Sequence, residues 1–144
     1  ATQTSLVEAL PSTAGTQPPR FFTSHWWGES FCHSIDCITQ MVRDFQHNFS
    51  DDDDQRGGGM TEDTPIWICA FANNQWKLHQ AISINPMDSS FAKAMIVACF
   101  RTLSILDKNG TVFTRIWCIE EVNLTLIFAK DSSIGNDGVW AVYT

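Results

Sequence analysis

Basic residues are scarce in this chain. Nine Lys and Arg stand against sixteen Asp and Glu, a formal net charge of −7 at pH 7. That deficit argues against nucleic-acid and anionic-membrane partners, both of which need a broad basic footprint. It leaves room for a small anionic ligand held by one local positive group. No apolar run approaches the ~20 residues of a membrane span, and no signal peptide opens the chain. The five cysteines, Cys32, Cys37, Cys69, Cys99 and Cys118, are odd in number and contain no Cys-x-x-Cys pair. They are expected as reduced, mostly buried thiols in a cytoplasmic protein. Neither GxGxxG nor GxxxxGK[ST] occurs, so the phosphate-cradling glycines of Rossmann and P-loop proteins are missing. His25 has no partner at His-x-His or His-x-x-x-His spacing, and no metal or cofactor is expected.

What is present is apolar. The hydrophobic share is 44%, with six Trp and ten Phe in 144 residues, enough for one domain with a sizeable core. Because the first residue is Ala1 rather than Met, the chain is expected to be an excised piece of a longer protein. Residues 1–19, rich in Thr, Ser, Ala and Pro, read as a flexible leader or linker, and residues 20–144 as the domain.

Strands and helices alternate along that domain. FFTSHWW (21–27) reads as a strand with Phe21 and Phe22 inside. A helix follows over 29–47, with Ser30 as its cap and Phe31, Ile35, Ile38, Val42 and Phe45 as one apolar stripe. SDDDDQRGGG (50–59) reads as a solvated loop, since it lacks the spaced acids of an EF-hand. TPIWICAF (64–71) is continuous in its apolar character, which predicts a strand buried on both faces. A polar loop (72–80) comes next. Ser89 or Ser90 caps a helix from Phe91 to about Phe100, with Phe91, Met95 and Ala98 facing in. A third strand spans 101–107, a helix capped by Thr114 spans 114–130, and a last strand covers 138–144. The order βα–βα–βα–β predicts an α/β fold: a parallel sheet with helices on both faces.

Ligands of such sheets bind beyond the carboxyl ends of the strands. That directs attention to His25, Trp26 and Trp27 after the first strand and to Asn73 and Asn74 after the second. Two adjacent Trp cannot both point into a core from one strand. One either walls a flat ligand or packs under a helix, and the residues alone do not choose. Trp117 and Glu121 lie four apart on the last helix and share a face. Either the acid is half buried beside a site, or the indole lies flat under a surface carboxylate; spacing alone favours the second. A Cys118 nucleophile paired with His25 or His33 lacks an assignable orienting group.

Taken in order, these pieces resemble a TIR (Toll/interleukin-1 receptor-like) domain. The family's first strand reads about F-[IL]-S-[YHF], here Phe21-Phe22-Thr23-Ser24-His25. Its second reads V-[FW]-[IL]-D, here Ile66-Trp67-Ile68-Cys69, without the usual Asp. Its most specific short mark is S-x-W-C-x-x-E-[LI], here Arg115-Ile116-Trp117-Cys118-Ile119-Glu120-Glu121-Val122. The likeness covers about residues 20–130, with the family's last strand and helix missing or beyond residue 144. It implies a flavodoxin-like three-layer sandwich and one of two activities. Some members cleave NAD+ at the nicotinamide–ribose bond; others only pair with further TIR-like domains. By the resemblance Glu121 is the catalytic acid. Ser24, His25, Trp26, Trp27, Asn73, Asn74, Trp76 and Trp117 then frame the NAD+ substrate, with Trp27 or Trp76 stacked on its ring. Self-association is expected to complete such a site. The alternatives are a non-catalytic signalling module and another nucleotide N-glycosidic chemistry, such as deoxyribosyl transfer.

Overall fold

A computed structural model describes residues 3–10, 15, 17–46, 59–77, 83, 85–128 and 138–144. Four strands form one sheet: β1 (Phe21–Ser24), β2 (Ile66–Ile68), β3 (Thr102–Ile105) and β4 (Trp140–Tyr143). All neighbours are parallel and the spatial order is β2-β1-β3-β4. Among the described residues five α-helices accompany them: α1 (Leu6–Ala9), α2 (Phe31–Phe45), α3 (Cys69–Ala72), α4 (Ser90–Val97) and α5 (Ile116–Phe128).

Alternation along the strands divides the core between two faces. Phe21, Leu103 and Ile105 pack with Cys37, Met41 and Val42 of α2. Phe22 points the other way, into Ala94, Met95, Ala98 and Phe100, with Leu124 and Phe128 of α5 closing over them. The Phe22 and Trp67 rings stack at 4.9 Å, and Phe100 stacks on Phe128 at 4.4 Å. Helix α2 thus covers one face, and α4 and α5 cover the other. The chain runs outward from β1 to β2, then returns past β1 to β3 and β4. The strand order therefore reverses between β1 and β3, and the crevice at their carboxyl ends is where open α/β sheets bind ligands.

Several local expectations are corrected. The second strand is three half-buried residues, not eight buried ones. Among the described residues β2 is an edge strand with a single neighbour, and the apolar run leaves the sheet after Ile68 and coils into α3. The first strand ends at Ser24, which frees His25 to Trp27 for the edge. In α2 the stripe holds only from Cys37 onward, and Phe31 and Ile35 are exposed. The cause is length. Fifteen helical residues extend about 22 Å, whereas a four-residue strand extends about 13 Å, so the first turns of α2 overhang the sheet. Thr114 does not cap α5. It closes a 3-10 turn over Thr111–Thr114, its hydroxyl donating to the Thr111 carbonyl at 2.7 Å, and α5 starts at Ile116. Ser89 caps α4 as expected, accepting the Ala92 N–H at 3.1 Å.

Within the stretch read as a leader, Leu6–Ala9 make one helical turn closed by a Ser5–Glu8 capping box. The acidic loop at 50–58 and the end of the last predicted helix, 129–130, lie outside the described residues. Helix α4 ends on two successive residues in the left-handed region, Cys99 (φ 52) and Phe100 (φ 53), neither of them glycine. The Phe100 N–H donates to the Met95 carbonyl at 2.8 Å, which satisfies the helix end and swings the chain into β3. Among the described residues no helix is long and apolar enough to cross a membrane.

Candidate active site at the carboxyl edge of the sheet

The end of β1 and the start of α5 meet at the reversal point. Ser24 closes β1 and His25 to Trp27 continue over the edge. Arg115 immediately precedes α5 from the other side and donates to the His25 carbonyl at 3.4 Å. Its guanidinium lies 5.5 Å from the Trp27 ring centre, within cation–π range. Between these segments is a cavity of about 120 Å³. Thr23 lines it from β1 with His25 and Trp27 just beyond, Ser89 and Phe91 line it at the start of α4, and Arg115, Trp117, Cys118 and Glu121 at the start of α5. An engineered cavity of about 150 Å³ admits benzene, so this one holds a single ring or sugar and leaves the rest of a larger ligand on the rim.

Glu121 is the buried acid of this cavity, 8% exposed. Burial pushes its carboxyl up to about 7, against smaller opposing effects of the Ser24 hydroxyl and the Arg115 charge. Its Oε2 is buried and completes no hydrogen bond, nor does the Thr23 hydroxyl; the Ser24 hydroxyl is near enough to favour the carboxylate but falls outside hydrogen-bonding geometry. An acceptor taken out of water without a donor is costly, and it is positioned to receive a hydrogen bond from something that enters the cavity.

The helix that carries Glu121 is anchored from below. The Thr125 hydroxyl donates to the Glu121 carbonyl at 2.8 Å. Its one proton is then committed, so the 2.7 Å contact between Thr102 and Thr125 has Thr102 as donor. This buried chain of hydroxyls ties α5 to β3 directly beneath the acid.

Burial favours the neutral forms of the nearby histidine and thiols. Burial lowers the His25 pKa and raises that of Cys118, with the Glu121 charge adding to the latter. Burial also takes Cys69 to about 11. The Cys118 thiol points at the His25 carbonyl oxygen, 3.8 Å away, rather than at the imidazole. His33 lies on α2, with Nε2 3.1 Å from the Leu106 carbonyl. A Cys–His nucleophile is therefore not assembled here.

Of the residues singled out in the sequence, Ser24, His25, Trp27, Trp117 and Glu121 come together. The spacing-based choice between buried acid and buried indole is reversed: Glu121 is buried and Trp117 is 45% exposed. Trp26 turns to the opposite side of the edge. Asn73, Asn74 and Trp76 do not line the cavity, because α3 redirects the loop. Asn73 donates to the Cys69 sulfur at 3.8 Å, and Asn74 donates to the Gln3 carbonyl at 2.8 Å. Trp76 is left exposed. Sequence reasoning did not single out Thr23, Ser89, Phe91 and Arg115. A signal existed for the last three. In a parallel sheet the helix after each strand starts near the carboxyl edge, so the first turns of α4 and α5 belong to the site.

Among the described residues no group of three or more His, Cys, Asp or Glu side chains is arranged to hold a metal ion. All five cysteines are free. Comparison of the chain with protein-family models, with curated proteins and with solved structures finds no match.

Proposed function

We propose that this is a TIR-like domain whose carboxyl-edge cavity binds a nicotinamide nucleotide and hydrolyses its nicotinamide–ribose bond. One observation carries the reading: the Glu121 Oε2 is buried, unpartnered and set among Trp27, Phe91 and Trp117 at the reversal point. A ribose diol supplies the donors that this oxygen lacks. As the C1′–N bond breaks, its electron pair passes to the ring nitrogen and C1′ gains cationic character. A carboxylate beside the sugar stabilises that charge, as in glycoside hydrolysis. Water then adds at C1′ and releases a proton. Arg115 at the mouth supplies the positive group that a phosphate on the rim requires, in a chain that is otherwise acidic.

The carboxylate form does this work, and Glu121 titrates near 7. Nicotinamide release from NAD+ is therefore expected to rise with pH through about 7 and to be absent in Glu121→Gln. The assay follows nicotinamide over a range of protein concentrations, because self-association is part of the reading. No release by the wild type at any concentration would refute it. The same assay with deoxynucleosides separates NAD+ hydrolysis from other N-glycosidic chemistry.

A second reading, a non-catalytic TIR-like interaction module, has its own support. The outer surface of α5 is apolar and exposed at Ile116, Ile119, Leu126 and Ile127, an unusual surface for a helix with no partner. Concentration-dependent association without turnover would favour it.

A further inference from the structure

A second cavity, of about 180 Å³, opens at the same edge on the α2 face of the sheet. It shares Thr23, His25 and Trp27 with the first, so the two lobes flank the end of β1. Its walls include Trp26, Phe31 and Phe71, the two Phe rings meeting edge to face at 5.8 Å. A Cβ at residue 28 would collide with the Trp26 indole, so Gly28 is what lets that ring fold back over the lobe.

Among the described lining residues the lobe contains one acid, Glu29. Its Oε1 accepts the Ser30 N–H at 3.0 Å, while Oε2 is buried with no hydrogen-bond partner. None of the described lining residues is Lys or Arg. The Glu121 lobe differs, because Arg115 stands beside its acid. Aromatic faces and an acid without a balancing cation favour a positively charged ligand.

We infer that this second lobe is a subsite for a flat, cationic heteroaromatic ring, held by Glu29 among Trp26, Phe31 and Phe71. Identifying the ring as the pyridinium of a nicotinamide nucleotide rests on the glycoside reading above; the subsite itself does not. In that arrangement the ribose lies against Glu121, and the scissile bond crosses the carboxyl end of β1, beyond Ser24. The Thr23 hydroxyl, buried and unpartnered, is left for the carboxamide. Cleavage sends the bonding pair to the ring nitrogen. The ring becomes neutral nicotinamide, loses its attraction to Glu29 and departs.

The test uses ligands that cannot be turned over. The 1-methylnicotinamide cation and uncharged nicotinamide are titrated into this chain and followed by NMR. The wild type is expected to bind the cation at least about tenfold more tightly, a preference of the size that one acid and an aromatic cage supply. Glu29→Gln keeps an oxygen for the Ser30 N–H and is expected to bring the two ligands to parity. Glu121→Gln is expected to keep the preference. Equal binding by the wild type, a preference that survives Glu29→Gln, or a preference lost in Glu121→Gln would each overturn the subsite. Circular dichroism checks each fold. Should Glu29→Gln not fold, Phe71→Leu decides, with a several-fold loss of cation affinity expected and no loss refuting. Because neither ligand carries a ribose, failure here leaves NAD+ hydrolysis to be judged by its own assay.

Discussion

Replacing Glu121 by Gln preserves the shape of the side chain and removes its charge. The cavity acid is raised from 4.5 to about 7, chiefly by burial. Between those two values the folded chain holds a proton that the unfolded chain has released. Stability therefore falls as pH rises across that window, and the loss is nearly complete above pH 7. At 1.36 kcal/mol per unit, the full effect is about 3 kcal/mol. Glutamine does not ionise and escapes it. The variant is expected to be more stable than the wild type by about 3 kcal/mol at pH 8 and by only about 1 kcal/mol at pH 5. Burial lowers the His25 pKa and so shifts stability in the opposite sense at acid pH, but His25 is common to both proteins and largely drops out of their difference. Urea unfolding of both at the two pH values measures it. Equal gains at pH 5 and pH 8 would refute a desolvated carboxylate at this position. Paired with lost nicotinamide release, the expected result is a protein made more stable by losing the charge on its candidate catalytic acid.

Thr125→Val keeps the shape and leaves the Thr102 hydroxyl without its acceptor. It should destabilise by roughly 1–3 kcal/mol in urea unfolding, and adding Thr102→Val should recover most of that. Cys99→Gly relieves a left-handed residue and should raise stability by roughly 0.5–1 kcal/mol, read as a higher thermal midpoint. Trp117→Ala removes a half-exposed ring from the mouth. Stability should change by less than about 1 kcal/mol, while KM for NAD+ rises on the order of tenfold, as expected for loss of the aromatic wall beside the ribose.

The layer order was legible in the sequence because alternating βα units admit few arrangements. The site was legible in part. Spacing put Trp117 and Glu121 on one face, but amphipathic reasoning assigns an acid to solvent, and it did so for Glu121. Only packing reveals that this acid is directly above Ser24 and the Thr102–Thr125 pair. The loop after β2 was misplaced for another reason. Its position past a strand end was read correctly, but nothing in the composition of TPIWICAF announces that the strand stops at Ile68. Whether an apolar run stays in a sheet depends on its neighbours, and among the described residues β2 has only one. Glu29 was hidden by the same dependence on partners. It becomes notable only when Gly28 lets Trp26 fold over the lobe beside it.

The sheet's connectivity also sets a timetable for folding. β1 is made early, yet the strand that completes its second side comes about eighty residues later, where Phe22 pairs with Thr102. At synthesis rates of about 5–20 residues per second, β1 waits roughly 4–16 s for that neighbour. Throughout that interval Phe21 and Phe22 sit on a strand with an open edge, which invites pairing with other chains. Glu121 arrives later still, on the helix after β3. A nascent chain halted before α5 would already carry the buried apolar residues around Phe22 and, Ala141 apart, those packed on α2, yet it would lack Glu121, so any burden on chaperones comes before the candidate site is assembled.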